Sequence, residues 1–367
     1  MKILVISNYR ETVSVRPEAE LFIGLKKEGV DVEIMTYDDA AYVEKFKEAG
    51  IRVIEFHPEK KLDKKEIKKI REELVAGQHD ILHLFNSKAI INGIQAAKGL
   101  PVKVVLYRGY TGNINWYDPT AYFKYLHPRV NKIWCIAESI EKYIQRQLLF
   151  NKNKPVTIHK GHDLNWYKNI EAIDRSRLKN IPPDAFWIVN VANNRRMKGT
   201  AYLLKAMQFI PTNLPVHLIL VGRNLDHQKN RKIVNISPNK NKIHFLGYRT
   251  DVLNIVKASD AFVLSSIFGE ATTKAVIETM SLGTTPVITD IAGNKGLVEN
   301  KKCGLVIPPK NPKAIADAVL KLFHHADLNK NYGLAAQRHI AEHFNIKKTI
   351  LEIKKMYETL IIKHPGT

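Results

Sequence analysis

Residues 268–288, FGEATTKAVIETMSLGTTPVI, are the most informative part of the chain, because they read in order as loop, carboxylate, helix, second carboxylate, glycine stop and buried strand. Gly269 and the small residues Ala271, Thr272 and Thr273 precede a run of strong helix formers. The free N–H groups of a helix start are therefore expected at Thr272 and Thr273, where a phosphate would sit. Gly283 ends the helix. Glu270 and Glu278 stand eight residues apart, roughly 12 Å at about 1.5 Å per helical residue. That is the span from the sugar of a nucleotide sugar, across its diphosphate, to its ribose. Two solvated glutamates on an ordinary helix give the same spacing, so the rest of the chain has to discriminate.

Composition sets the bounds around this stretch. At 367 residues the chain exceeds the size at which one core keeps growing, and 45% hydrophobic residues suffice for two cores. No apolar run reaches the length of a membrane span, and the opening KILVIS reads as a strand and not as a leader, so a cytoplasmic protein starting at Met1 is expected. The two cysteines, Cys135 and Cys303, lie far apart in expected strands and form neither a metal motif nor a disulfide framework. The net charge of +21 restricts partners to polyanions, anionic membrane surfaces or phosphate-bearing ligands.

Apolar runs alternate with helical patterns along the whole chain. Strands are expected at 2–7, 31–35, 51–56, 80–85, 102–107, 131–136 and 155–159, with helices at 17–29, 40–49, 63–76, 118–127 and 139–150. Asp63 and Glu66 should form a capping box closed by a staple of Leu62 and Ile67. After a polar, proline-ended stretch at 166–184, read as a linker, the alternation restarts. Strands are expected at 187–192, 216–221, 243–246, 261–265 and 285–289, helices at 199–209 and 250–258, and helical patterns from 312 to 363. The fold class is thus α/β, with two doubly wound Rossmann-like domains facing an interdomain cleft. The expected domains are 1–165, 185–345 and a terminal helix at 346–367 that packs back on the first domain.

The order NNRRMKG, LILVG, IHFLGYRTDV, ASDAFVLSS, GEATTKAVIETMSLGTTPVI and GLVIPP resembles the retaining family-4 glycosyltransferases of the GT-B fold, over the whole second domain. The resemblance implies that Lys198 with Arg195 or Arg196 binds the donor diphosphate, Glu270 the donor sugar, Glu278 the ribose and backbone near Thr272 and Thr273 the phosphate. The tight turns at Gly222 and Tyr248 would meet the nucleoside. Relatives carry an arginine five residues before the lysine, where this chain has Asn193, so that role passes to Arg195 or Arg196. In the first domain His83 and Arg108 end strands at the expected cleft edge and are expected, with Glu270, to be catalytic, a structural histidine being the equal alternative at position 83. Arg108 stands where many relatives have a histidine close to the leaving phosphate, and it can neutralise charge there but cannot act as a base. The aromatic residues Tyr107, Tyr110, Trp116, Tyr117, Tyr122, Phe123 and Tyr125 supply either a sugar-stacking face or ordinary packing.

The expected reaction is sugar transfer with retention from a nucleotide sugar, a UDP-sugar before a GDP-sugar, with no metal and no cofactor. The acceptor is expected to be a glycan or lipid-linked glycan of a bacterial envelope polysaccharide or lipopolysaccharide. Residues 60–71 and 223–249 each carry seven Lys/Arg, which suggests peripheral docking on an anionic inner membrane face. Two alternatives stay open: a sugar-nucleotide epimerase of the same architecture, and a basic nucleic-acid binder. No nucleic acid is expected as a partner, since no nucleic-acid-binding module is present in the sequence.

Overall fold

A computed structural model describes every residue except Glu11, Ala271, Thr272, Lys295 and residues 363–367. The chain forms two compact units, one of residues 1–161 with 344–367 and one of residues 162–343.

Unit 1 runs β1 (Lys2–Ile6), α1 (Thr12–Lys27), β2 (Asp31–Thr36), α2 (Val43–Glu48), β3 (Arg52–Glu55), α3 (Lys64–Gly77), β4 (Ile81–Leu84), α4 (Ser87–Ala96), β5 (Lys103–Arg108), β6 (Val130–Cys135), α5 (Glu138–Gln147) and β7 (Pro155–Thr157). Its seven strands pair in the order β3-β2-β1-β4-β5-β6-β7, all parallel. Unit 2 runs β8 (Phe186–Val191), α6 (Thr200–Ala206), β9 (Val216–Val221), α7 (Gln228–Asn235), β10 (Ile243–Gly247), α8 (Val252–Ala258), β11 (Ala261–Leu264), α9 (Lys274–Ser281), β12 (Thr285–Thr289), β13 (Leu305–Ile307), α10 (Pro312–His324) and α11 (Ala326–His343). Its six strands take the order β10-β9-β8-β11-β12-β13. In each sheet the chain starts in the middle, builds to one edge and returns across the first strand, so a topological switch point lies beside β1 in unit 1 and beside β8 in unit 2.

Continuous apolar runs make this possible. All six residues of β9, VHLILV, are buried, as expected of a parallel strand covered on both faces. Leu218 and Leu220 join Ile188 and Val263 of the neighbouring strands and Leu203 and Val319 of the helices in one core. At the end of α9, Gly283 has φ +77°, its N–H bonds to the Met280 carbonyl and Thr284 N–H reaches the Thr279 carbonyl, a Schellman stop that needs the left-handed glycine.

Several local expectations are corrected. Residues 166–184 are not a separate linker: Arg175 ties them into unit 2 by bonding the carbonyls of Ala258 and Ala185 and the Asp260 carboxylate. The helix expected at 118–127 is a 3-10 turn at Pro119–Phe123, capped by Asp118 and ended where Lys124 leaves helical geometry. Helices α4 and α7 and strand β13 have no counterpart among the expected elements, and Cys303 precedes β13 instead of lying within a strand. Asp63 does cap α3, but the Glu66 carboxylate accepts from Glu59 and Lys60 N–H, and Leu62 stays exposed. The last helix, α12 (Ile346–Ile361), belongs to unit 1 and lies on α1. A Cβ on Gly24 would come within 2.2 Å of the Ile350 Cδ1, so a larger residue at this crossing would have to displace the Ile350 side chain.

Candidate active site

Strand order brings β8 and β11 side by side at the switch point of unit 2, and the segments leaving their carboxyl ends are laced together. Ile267 N–H bonds the Met197 carbonyl at 2.7 Å and Ser265 Oγ bonds the Lys198 carbonyl at 3.0 Å. Gly199 sits at φ +62°, and a Cβ there would lie 2.1 Å from the Ser265 carbonyl oxygen. Within this seam Lys198 Nζ meets Glu270 Oε1 at 2.6 Å, and Ser266 Oγ donates to the same oxygen at 2.6 Å. The expected phosphate cation and the expected sugar carboxylate are thus one part-buried ion pair. Arg195 and Arg196 are exposed beside it, with no carboxylate partner among the described residues. Asn193, where relatives have arginine, serves the backbone instead. Its Oδ1 accepts Arg223 N–H at 3.1 Å, fastening the β8 segment to the β9 segment.

The turn after β9 is forced by Gly222, at φ +146°, where a Cβ would sit 1.8 Å from the Ala192 oxygen. Gly222 N–H bonds the Gly247 carbonyl at 2.8 Å, which brings exposed Tyr248 beside the same seam with the Arg223 guanidinium 4.7 Å from its ring centre. Lys198, Arg195, Arg196, Gly222, Tyr248 and Glu270 therefore share one edge of one sheet.

The helix start is displaced from expectation. α9 begins at Lys274 with Thr273 as its N-cap residue, so the first free N–H groups fall at Lys274 and Ala275, and Thr272 lies outside the described residues. Thr273 Oγ1 instead approaches Asn294 Oδ1 at 3.4 Å, while Asn294 Nδ2 bonds the Thr289 carbonyl. Because helix begins only at Lys274, the 12 Å helical rise counted from Glu270 does not apply. Glu278 faces Lys274 one turn earlier, Nζ to Oε1 2.6 Å. Ser266 and Asn294, both buried, are site residues that the sequence does not single out. Their only signal is that small polar residues follow buried strands.

Unit 1 disposes of its expected residues otherwise. His83 is fully buried on β4, ringed by Phe22, Phe85 and Trp134, with Nδ1 2.6 Å from the Tyr357 hydroxyl of α12. Burial lowers its pKa to about 3, so the expectation of a catalytic histidine is corrected to a neutral core residue. Arg108 is also buried. Its Nε donates to the Tyr110 carbonyl at 2.8 Å, Nη2 donates to the Gly112 carbonyl, and the guanidinium lies 3.7 Å from the Tyr110 ring centre. The aromatic set divides, with Tyr125 buried and Tyr107 stacked on Phe85 at 4.8 Å, while Tyr110, Trp116, Tyr117 and Phe123 are exposed. Of the two basic stretches, 223–249 is partly spent on structure: Arg231 pairs with Asp226, Arg249 with Asp251, and Lys242 bonds two carbonyls. No helix among the described residues is long and apolar enough to cross a membrane.

Comparison with known proteins follows the same division. Residues 171–339 match the family described as glycosyl transferases group 1, and residues 19–166 match Glycosyltransferase Family 4. An uncharacterized glycosyltransferase of Methanocaldococcus jannaschii is 27% identical over 252 residues, which span 67% of this chain and 62% of that protein. The Escherichia coli UDP-Gal:alpha-D-GlcNAc-diphosphoundecaprenol alpha-1,3-galactosyltransferase is 26% identical over 78% of this chain and 76% of its own length. Among solved structures, a glycosyltransferase from Rickettsia africae superposes with a TM-score of 0.84 at 18% identity, covering 99% of both chains. Anabaena HepE in complex with UDP gives 0.77 at 18%, over 98% of this chain and 100% of that one. With one family model on each unit and the strand order of two Rossmann-like sheets, the chain is a glycosyltransferase of the GT-B fold, of the group 1 and family 4 type.

Proposed function

We propose that the chain transfers a sugar, with retention at the anomeric carbon, from a UDP-sugar to a lipid-linked glycan at an anionic membrane face. The observation that carries this reading is the Lys198–Glu270 pair at the unit 2 switch point, flanked by the exposed Arg195 and Arg196. In the absence of donor the two opposite charges satisfy each other. An arriving diphosphate competes for Lys198 Nζ, and the cations then stabilise the charge that grows on the departing UDP. Glu270, still held by Ser266, is left to accept hydroxyls of the donor sugar. Glu278 is assigned the ribose, Gly222 and Tyr248 the base, and the N–H groups that open α9 the phosphate. Three cations supply the neutralisation, so no metal is assigned to the chemistry. Arg108 acts as a positioning residue that shapes the 110–112 turn.

The UDP assignment draws support from HepE, solved with UDP and with UDP-glucose. The acceptor assignment draws support from the diphosphoundecaprenol-linked substrate named for the E. coli relative. A surface of unit 1 favours the membrane: Trp116, Tyr117, Leu149 and Phe150 are exposed, Trp116 N–H is bonded to Gln147 Oε1 at 3.1 Å, and Arg146 and Lys152 flank them. Amphipathic rings and cations side by side suit the headgroup region of an anionic bilayer.

The test offers UDP- and GDP-sugars to the protein with a polyprenyl-diphosphate-linked glycan in vesicles, neutral or about 30% anionic, and reads the product anomer by NMR. The expected result is acceptor-dependent transfer from a UDP-sugar, anomer retained, faster on anionic vesicles at low salt. A changed sugar without acceptor would favour an epimerase and overturn the reading, as would inversion. Equal rates on both vesicle types would remove the membrane from it.

A further inference from the structure

α11 carries His339 and His343 one turn apart, so both imidazoles emerge on one face of the helix. Glu299, from the segment joining β12 to β13, approaches the same face. One ligand atom from each of the three lies within 4.8 Å of the others. The imidazole rings are 4.7 Å apart between centres, and His339 Nδ1 is 3.8 Å from Glu299 Oε1. His339 Nε2 is 3.3 Å from the Gly296 carbonyl. A carbonyl only accepts, so Nε2 carries the proton and Nδ1 presents its lone pair to the cluster. An outer hydrogen bond of this kind is what orients a metal-bound imidazole and fixes its tautomer.

We propose that Glu299, His339 and His343 form a binding site for a divalent transition ion of the zinc class, on unit 2 and using none of the residues assigned to the donor. Two imidazoles and one carboxylate suit a borderline ion and leave a fourth position for water. His343 and Glu299 are half exposed, with side-chain accessibilities of 50% and 44%, so an ion has an open path. Glu299 also pairs with Lys302 at 3.0 Å, and His343 lies 3.8 Å from the Glu342 carboxylate. Both are exposed contacts of the kind that contribute little and yield readily to an ion. An ion here clamps the 296–303 segment onto the end of α11.

The experiment uses the full chain, stripped with chelator and titrated with Zn²⁺ by calorimetry and with Co²⁺ by visible absorption. The expected result is one ion per chain at micromolar affinity or tighter, with cobalt ligand-field bands of a four-coordinate site. His343→Ala and Glu299→Gln, both at accessible positions, should each weaken binding by about 10-fold or more and remove those bands, while His325→Asn leaves them unchanged. Zinc binding and cobalt bands that survive both substitutions, or no saturable binding by the unaltered chain, would overturn the site.

Discussion

At the end of β5 in unit 1, the Arg108 guanidinium is folded back onto two carbonyls of its own turn and two tyrosine rings, and at β4 the His83 ring is closed into the core under Tyr357. At the ends of β8 and β11 in unit 2, Lys198 and Glu270 hold each other at 2.6 Å at a sheet edge, with Arg195 and Arg196 exposed beside them. Both sheets follow the same winding order, and in both these polar residues occur at or near the carboxyl ends of strands. Position on the fold therefore offers a ligand site but does not create one. What separates the units is whether the side chain's partners lie in its own turn or in the core, as for Arg108 and His83, or at a part-exposed sheet edge, as for Lys198 and Glu270.

The largest effect expected from this difference is on turnover. Glu270→Gln keeps the shape and the Ser266 contact but removes the charge. Transfer should fall on the order of 10²-fold while calorimetry finds UDP bound at least as tightly as by the unaltered chain, because the diphosphate no longer competes with a carboxylate for Lys198. Wild-type turnover in that variant would place the chemistry elsewhere and dissolve the contrast between the units.

A smaller effect tests the unit 1 side. His83 titrates at about 3 in the folded chain against 6.5 for the free residue. Between those values the unfolded chain binds the proton and the folded chain does not. The stability this residue contributes is therefore whole above 6.5 and declines as pH falls toward 3, by at most about 1.4 kcal/mol per pH unit. Urea unfolding of His83→Met across that window should show a shallower acid decline than the unaltered chain. An unchanged slope would mean that His83 is protonated without cost, contrary to a core role.

Much of the fold is legible in the sequence because parallel strands are continuous apolar runs such as VHLILV, which need no partner to be recognised. Elements whose formation depends on context are not. α7, QKNRKIVN, is almost wholly polar and is started by His227 Nδ1 accepting Lys229 N–H. The 118–127 stretch has helix-length spacing but collapses to a single 3-10 turn. At the site, residue type and strand-end position are readable, and partners are not. Lys198 and Glu270 are 72 residues apart, and the hydroxyl that decides the fate of His83 lies 274 residues away on α12. No periodicity carries that information, since only the packed sheet and helices bring those atoms together.

Whether the unit 2 edge is the diphosphate seat is settled most directly by calorimetry of UDP and of uridine with Lys198→Ala. UDP affinity should fall by about 10-fold or more, equivalent to at least about 1.4 kcal/mol, while uridine affinity stays at the unaltered value. Equal losses for both ligands, or UDP binding that survives intact, would contradict that assignment.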